Sequence, residues 1–348
     1  MDTKTGNITS TSFGRQTNIE LLRVVAMLLI VTGHYLYHLK TTEPPLSFSP
    51  ASIPELTNFC LLQLLYVFTS TGVNLFVLIT GYFLAERTDF RLRGMIRVSI
   101  TTIFYAVVIY LLFCLFGKTV FSTSEFIRNL EPVPVHQYWF VAKYLGLLLV
   151  APFLAMLVSQ LDKHRYRLLL AILFLLLFEW PYGELFGGGM SLAWFCFLFL
   201  VGGYLHRYGL PLHRDWLAVI IVALLIFALH TVTDVLTYLK SGAPFVLKYD
   251  ANNSVTFFLA LLVFVCFARR QFSGRLWRRV ALIAPYTFGV YLFHEYSLMR
   301  IFLWEETAPL ILPRLPLFIH VLLISVLVFL CGIIIDYIRT LIFKLLPI

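Results

Sequence analysis

Charge is what this sequence has least of. Only 13% of its 348 residues are Asp, Glu, Lys or Arg, against about 25% in a soluble domain, so a soluble globular protein is excluded. Cysteine is scarce too: Cys60, Cys114, Cys196, Cys266 and Cys331 lie far apart, with no CxxC pair and no Cys/His cluster of metal-ligand type. Zinc modules and disulfide scaffolds are thereby excluded, no metal is expected, and the cysteines read as filler. Long polar connections are also missing. None exceeds roughly twenty-five residues, short of the fifty or more that a separate soluble domain needs. Any chemistry must therefore take place within the apolar bundle. No internal repeat is visible, which argues against transporters built from inverted repeats. Residues 1–18 are polar and rich in Ser and Thr, and no small-residue cleavage pattern follows them. They read as a retained cytoplasmic tail, expected to be disordered, ahead of a signal-anchor helix.

What is abundant is apolar sequence: 60% of residues are hydrophobic and mean hydropathy is +0.86. A helix crosses the hydrocarbon with about 20 predominantly apolar residues. Such stretches run over 19–39, 62–85, 97–117, 138–159, 167–182, 190–206, 216–239, 252–268, 280–300 and 316–338, the fifth and eighth being short. The expected fold is an all-α polytopic membrane protein of about ten transmembrane helices, with residues 19–345 forming a single domain.

The net charge of +9 would suit a nucleic acid only if the basic residues shared one surface. Instead they alternate. Fourteen lie in every second connection, among them Arg87, Arg93, Arg97, Lys163, Arg167, Arg207 and Arg269, and seven in the others. The positive-inside rule then places both termini in the cytoplasm, and no nucleic-acid partner is expected.

Ionisable groups within the hydrocarbon are costly, so each marks a candidate site. The first helix holds Arg23 and His34, eleven residues apart: about 16 Å of rise and three turns plus some 20°. Both face the same side. Entry from the cytoplasm near residue 19 puts Arg23 about 6 Å deep and His34 about 22 Å deep. The bland alternative is that Arg23 snorkels and His34 bonds a neighbouring helix. His294 in the ninth segment, and His230 with Asp234 in the seventh, arrive at a similar level. Adjacent residues on a helix diverge by about 100°, so of His294 and Glu295 only one is expected to face the site.

In the second segment Gly72 and Gly81 permit close helix approach. The Asn74 amide needs partners and could orient an imidazole or simply bridge helices. Trp139, Lys143 and Tyr144 open the fourth segment, where aromatic residues form an interfacial belt first of all, while Trp139 could also stack on a sugar. The segments 40–61 and 118–137 could form a lid or an acceptor-docking surface.

Together these segments resemble the acyltransferase type 3 family of integral-membrane O-acyltransferases. The first-helix pattern is similar to Ile19-Glu20-Leu21-Leu22-Arg23 through His34. The second resembles Gly72-Val73-Asn74-Leu75-Phe76-Val77-Leu78-Ile79-Thr80-Gly81-Tyr82, followed by Trp139-Phe140, Tyr144, Ala151-Pro152 and Val290-Tyr291-Leu292-Phe293-His294. Glu20 and Asn74 stand where the family has Asp, and Thr80 where it has Ser. An Asn excludes a carboxylate role at 74. The family's basic motif is matched loosely by Arg93 and Arg97.

The resemblance implies transfer of an acyl group, acetyl or succinyl, from cytoplasmic acyl-CoA, commonly acetyl-CoA as co-substrate, to a hydroxyl of a cell-envelope glycan or lipid-linked sugar. It also implies a bacterial inner membrane, with membrane lipids around the bundle. On this basis Arg23, Arg93 and Arg97 would hold the donor's phosphates, as guanidinium forks do. His34, Asn74 and His294 would form the catalytic set, and Trp139, Lys143 and Tyr144 would bind substrate. His34 could act as general base or as covalent acyl carrier, and the sequence does not choose. Oxyanion donors could be Asn74, Thr71 or Tyr144. The competing reading is a glycan exporter whose polar groups line a path without covalent chemistry.

Overall fold

The computed structural model describes residues 17–42, 61–62, 64–131, 137–178, 186–209, 215–241, 251–312 and 314–345. Throughout these residues the chain is helical, with no strand. The tail 1–16, most of the proposed lid 40–61, and Cys60 and His136 lie outside the described residues.

The hub is α1, Thr17–Thr42. Its apolar residues point in several directions, and Ile19, Leu22, Ala26, Val31 and Tyr35 are all buried, the pattern of a helix surrounded by others. It packs against α2 (Gly72–Leu84), α9 (Ser254–Ala268), α10 (Arg275–Ala281), α11 (Thr287–Glu295) and α13 (Leu317–Leu345). Between them in sequence come α3 (Leu92–Leu115), α4 (Thr123–Asn129), α5 (Trp139–Ser159), α6 (Lys163–Leu177), α7 (Leu192–Tyr208), α8 (Asp215–Ser241) and the short α12 (Ser297–Arg300).

The most extensive helix pair is α2 with α7, and glycine makes it possible. A Cβ on Gly81 would run into the Phe199 backbone, and one on Gly202 into the Leu78 carbonyl. Small residues on both helices let the backbones touch, which is how helices gain packing energy where the surrounding lipid is as apolar as leucine.

Among the described residues five helical segments are long and apolar enough to cross a membrane: Thr17–Leu39, Leu64–Leu84, Leu92–Leu115, Trp139–Ser159 and Leu317–Leu345. They coincide with the first, second, third, fourth and tenth expected spans. The second is interrupted by a turn at Ser70–Thr71, where the hydroxyls of Thr69, Ser70 and Thr71 bond the carbonyls of Tyr66, Val67 and Phe68. Such local bonds let a membrane helix loosen without orphaning its backbone.

The seventh expected span is the continuous 27-residue α8, and the remaining ones differ in form. The fifth, sixth and eighth are helices of 15, 17 and 15 residues, at about 1.5 Å per residue shorter than the roughly 30 Å hydrocarbon core. The ninth, expected as one continuous helix over 280–300, is broken twice. Pro285 sits in the short 3₁₀ turn Ala284–Tyr286, where its missing N–H costs nothing. Tyr296, with ψ of 132°, ends α11. The Ser297 N–H freed by that break is taken by Gln137 Oε1 at 3.1 Å. Irregular backbone at membrane depth survives only where protein groups satisfy it, and here they do so immediately beside Glu295. A π-helix, Ile301–Thr307, follows.

Candidate active site

Three side chains meet where α1 crosses the end of α11. The His34 Nδ1 atom lies 2.9 Å from His294 Nε2 and 3.0 Å from Glu295 Oε2. His294 is fully buried and Glu295 nearly so. Hydrogen-bond logic then assigns the tautomers. His294 Nδ1 is 2.6 Å from the Val290 carbonyl; a carbonyl only accepts, so Nδ1 carries the proton and the neutral ring offers its Nε2 lone pair. His34 Nδ1–H is therefore the donor across the pair. Its proton points at His294, and the Glu295 carboxylate flanks it. That arrangement leaves the lone pair of His34 on Nε2, for which the described residues provide no partner. Arg300 Nη1, 3.5 Å from Glu295 Oε1, adds a cation on the carboxylate's far side.

The expectation that His294 and Glu295 could not both face one point is thus overturned. The 100° divergence holds at the Cβ atoms, but a Glu side chain is long, and α11 stops at Glu295, so no further turn stands in its way. Both reach the same nitrogen. The three donor atoms lie within 4.8 Å of one another, a grouping that could also hold a cation.

His34 is shared by two cavities. One, of about 270 Å³, extends along the N-terminal half of α1 and is lined by Arg23, Met27, Phe76, Thr80, Phe140, Tyr144, Phe288 and Tyr291 among others. The other, of about 330 Å³, extends along the C-terminal half and is lined by Tyr37, His38, Tyr66, Thr69, Ser70, Glu295 and Arg300 among others. The first is largely aromatic with a cation, and the second is rich in hydroxyl and charged groups. Ile30, His34, Val73 and Trp139 belong to both. The wall between the chambers is thus one layer of side chains, with the imidazole in it.

The structure distributes the sequence candidates unevenly. Arg23 and His34 do line one cavity, as their helical phase implied. Arg23 is paired with Glu20 at 2.8 Å, an acidic partner that the sequence suggested only as a motif letter. Trp139 stands in the shared wall and Tyr144 in the Arg23 chamber, where its hydroxyl is 3.4 Å from Thr80 Oγ1.

Five candidates are placed elsewhere. Asn74 is fully buried and lines neither chamber. Its amide nitrogen donates to the Ala251 carbonyl at 2.7 Å, and its oxygen accepts from Trp194 Nε1 at 3.1 Å. It braces α2 to α7 and to the residues that lead into α9, the interhelical role weighed against catalysis. Arg93 and Arg97 are exposed at the start of α3, and neither lines a chamber; only Val98 of that helix does. Lys143 is exposed and lines neither chamber. Thr71 spends its hydroxyl on the Phe68 carbonyl. The side chains of His230 and Asp234 lie outside the described residues.

Two candidate positions emerge that sequence reasoning passed over. Glu295 was discounted by the divergence argument. Tyr291, on the turn before His294, lines the Arg23 chamber, and its buried hydroxyl has no hydrogen bond among the described residues. The aromatic-rich motif around His294 was the available signal for it.

A family model described as an acyltransferase domain matches residues 16–337. No curated protein and no solved structure matches the chain.

Proposed function

The chain belongs to the acyltransferase type 3 family, and from that premise we propose that it transfers an acetyl or succinyl group from cytoplasmic acyl-CoA to a hydroxyl of a cell-envelope glycan or lipid-linked sugar in the bacterial inner membrane. The observation that carries this reading is the position of His34 in the wall between two chambers of opposite character. An acyl-CoA is anionic at one end and thin and apolar at the other. Arg23 suits the first, and the aromatic chamber behind it suits the second. A sugar offers many hydroxyls and a face for stacking, which the groups around Tyr37, Ser70 and Trp139 suit.

In the proposed reaction His34 Nε2 removes the proton from the acceptor hydroxyl. The oxygen attacks the thioester carbonyl, giving a tetrahedral oxyanion. As that collapses, the carbon–sulfur bond breaks and the departing thiolate takes the proton from His34. Glu295 and His294 hold the Nδ1–H, fixing the ring's orientation and stabilising its transient positive charge, the task of the third group in any base-and-orienter set. Tyr144 and Tyr291 are the hydroxyl donors in the Arg23 chamber that could meet the oxyanion, where each such donor contributes about 3 kcal/mol. Because both chambers open on His34, donor and acceptor can be present together, which favours direct transfer with His34 as base over an acyl-histidine intermediate.

The deciding experiment uses purified protein in lipid nanodiscs, acyl-CoA labelled in its acyl group, and envelope glycan as acceptor. Wild-type protein should move label to the acceptor, and His34→Ala should not, at equal expression and equal thermal stability. A fully active His34→Ala variant would overturn the reading. Trapping labelled protein without acceptor would instead favour the covalent route.

A further inference from the structure

Away from the His34 chambers, a third cavity of about 850 Å³ opens between α6, α7 and α9. Three helix ends converge at its mouth: the first turn of α6, the C-terminus of α7 and the C-terminus of α9. They bring Lys163, Arg167 and Arg269 to one rim, and among the described residues no acidic one lines the cavity. Lys163 is held there by the ring of Tyr208, 5.3 Å from its ammonium group. The neighbouring acid, Asp162, is spent as the cap of α6, accepting from the N–H groups of His164 and Arg165 at 2.9 and 2.8 Å. Below the rim the cavity turns apolar, lined by Phe174, Phe257 and Leu261.

α6 is 15 residues long, about 22 Å, and so spans less than the roughly 30 Å hydrocarbon core. An apolar recess beside a short helix in a membrane fills with a lipid chain. The headgroup above it is then chosen by the rim, and basic pockets between membrane helices select anionic lipids.

We propose that this groove is a binding site for an anionic phospholipid, with its phosphate on Lys163, Arg167 and Arg269 and an acyl chain along Phe174, Phe257 and Leu261. It stands apart from the proposed acyl transfer and does not depend on it. The occupant is a lipid rather than a soluble phosphate, because the apolar part of the cavity lies directly beneath the cations. A free phosphate would leave it unfilled.

The test is native mass spectrometry of the intact purified protein with phosphatidylglycerol or phosphatidylcholine of identical chains. Phosphatidylglycerol should be retained in preference by roughly a hundredfold, at about 1 kcal/mol for each of the three rim cations, and high salt should narrow the gap. The triple variant Lys163→Gln, Arg167→Gln, Arg269→Gln should bind both lipids alike. Leu261→Trp, which fills the groove and keeps every cation, should lose retained phosphatidylglycerol with an unchanged elution profile. Equal binding of the two lipids by wild-type protein would overturn the proposal, as would an unchanged preference in the triple variant. Displacement of the lipid by millimolar inorganic phosphate would overturn it too, in favour of a soluble phosphate ligand.

Discussion

His34 and His294 face each other nitrogen to nitrogen at 2.9 Å, and because the Val290 carbonyl claims the other nitrogen of His294, only His34 can be the donor between them. The direction of that single hydrogen bond determines which atom of His34 remains basic. It also makes the residues around Nδ1 testable separately from the base itself.

Glu295→Gln keeps the shape of the carboxylate and removes its charge. With no anion beside Nδ1–H, the imidazolium that forms during transfer is unsupported, and kcat should fall about 10²- to 10⁴-fold. KM for acyl-CoA should change little, since Glu295 lines only the other chamber. Steady-state kinetics at saturating acceptor would show the split; a loss confined to KM would remove Glu295 from the orienting role.

Arg23 and the pair Arg93 and Arg97 all carried the same expectation as donor-binding cations, yet only Arg23 lines a chamber. Arg23→Ala should raise the KM for acyl-CoA by about tenfold or more, the effect of one lost charge-assisted hydrogen bond. Arg93→Ala and Arg97→Ala should stay within about twofold, because neither lines a chamber. Kinetics with varied acyl-CoA at fixed acceptor would separate the three.

Trp139 fills the wall between the chambers. Trp139→Ala should let water reach the thioester, so free CoA thiol should appear in the absence of acceptor at a rate above that of wild type. Thiol release that still requires acceptor would show the wall to be intact without the indole.

His34, His294 and Glu295 group closely enough to hold a cation, but in the proposed mechanism a proton occupies the space between the two histidines. Exhaustive chelation should therefore leave activity unchanged, whereas added Zn²⁺ should compete with that proton and inhibit, with chelator restoring the rate. Activity lost on chelation and regained with Zn²⁺ would reverse the assignment.

Asp336, buried in α13, accepts from Tyr105 at 3.0 Å and from Arg339 at 2.6 Å, and so ties α3 to α13. Tyr105→Phe should lower stability by about 1 kcal/mol, the net worth of one such bond, while leaving KM values alone. A thermal unfolding curve in nanodiscs would detect the shift.

How much of this was legible in the sequence depends on the range of each interaction. The common face of Arg23 and His34 follows from helical phase, a property of one continuous segment, and the apolar spans follow from local composition. The level of His294 could be reckoned for the same reason. Asn74 was different: its partners Ala251 and Trp194 are 177 and 120 residues away, and no local pattern encodes them. Glu295 was missed because helical phase locates Cβ atoms, whereas the chemistry occurs at the end of a flexible side chain beside a helix terminus. Lys143, Arg93 and Arg97 line neither chamber, which no local pattern tells, because a charge near a helix end has a type but no facing until the neighbouring helices are known.

The break at Tyr296 ties the site to a residue far off in the chain. The turn that follows Glu295 is closed by a hydrogen bond from the Ser297 N–H to the Gln137 side chain, and Gln137 stands just ahead of α5, 160 residues earlier. A chain truncated before residue 297 would carry His34, Arg23, Glu295 and the three chamber-lining aromatics of α5, Trp139, Phe140 and Tyr144, yet lack the N–H through which Gln137 closes that turn.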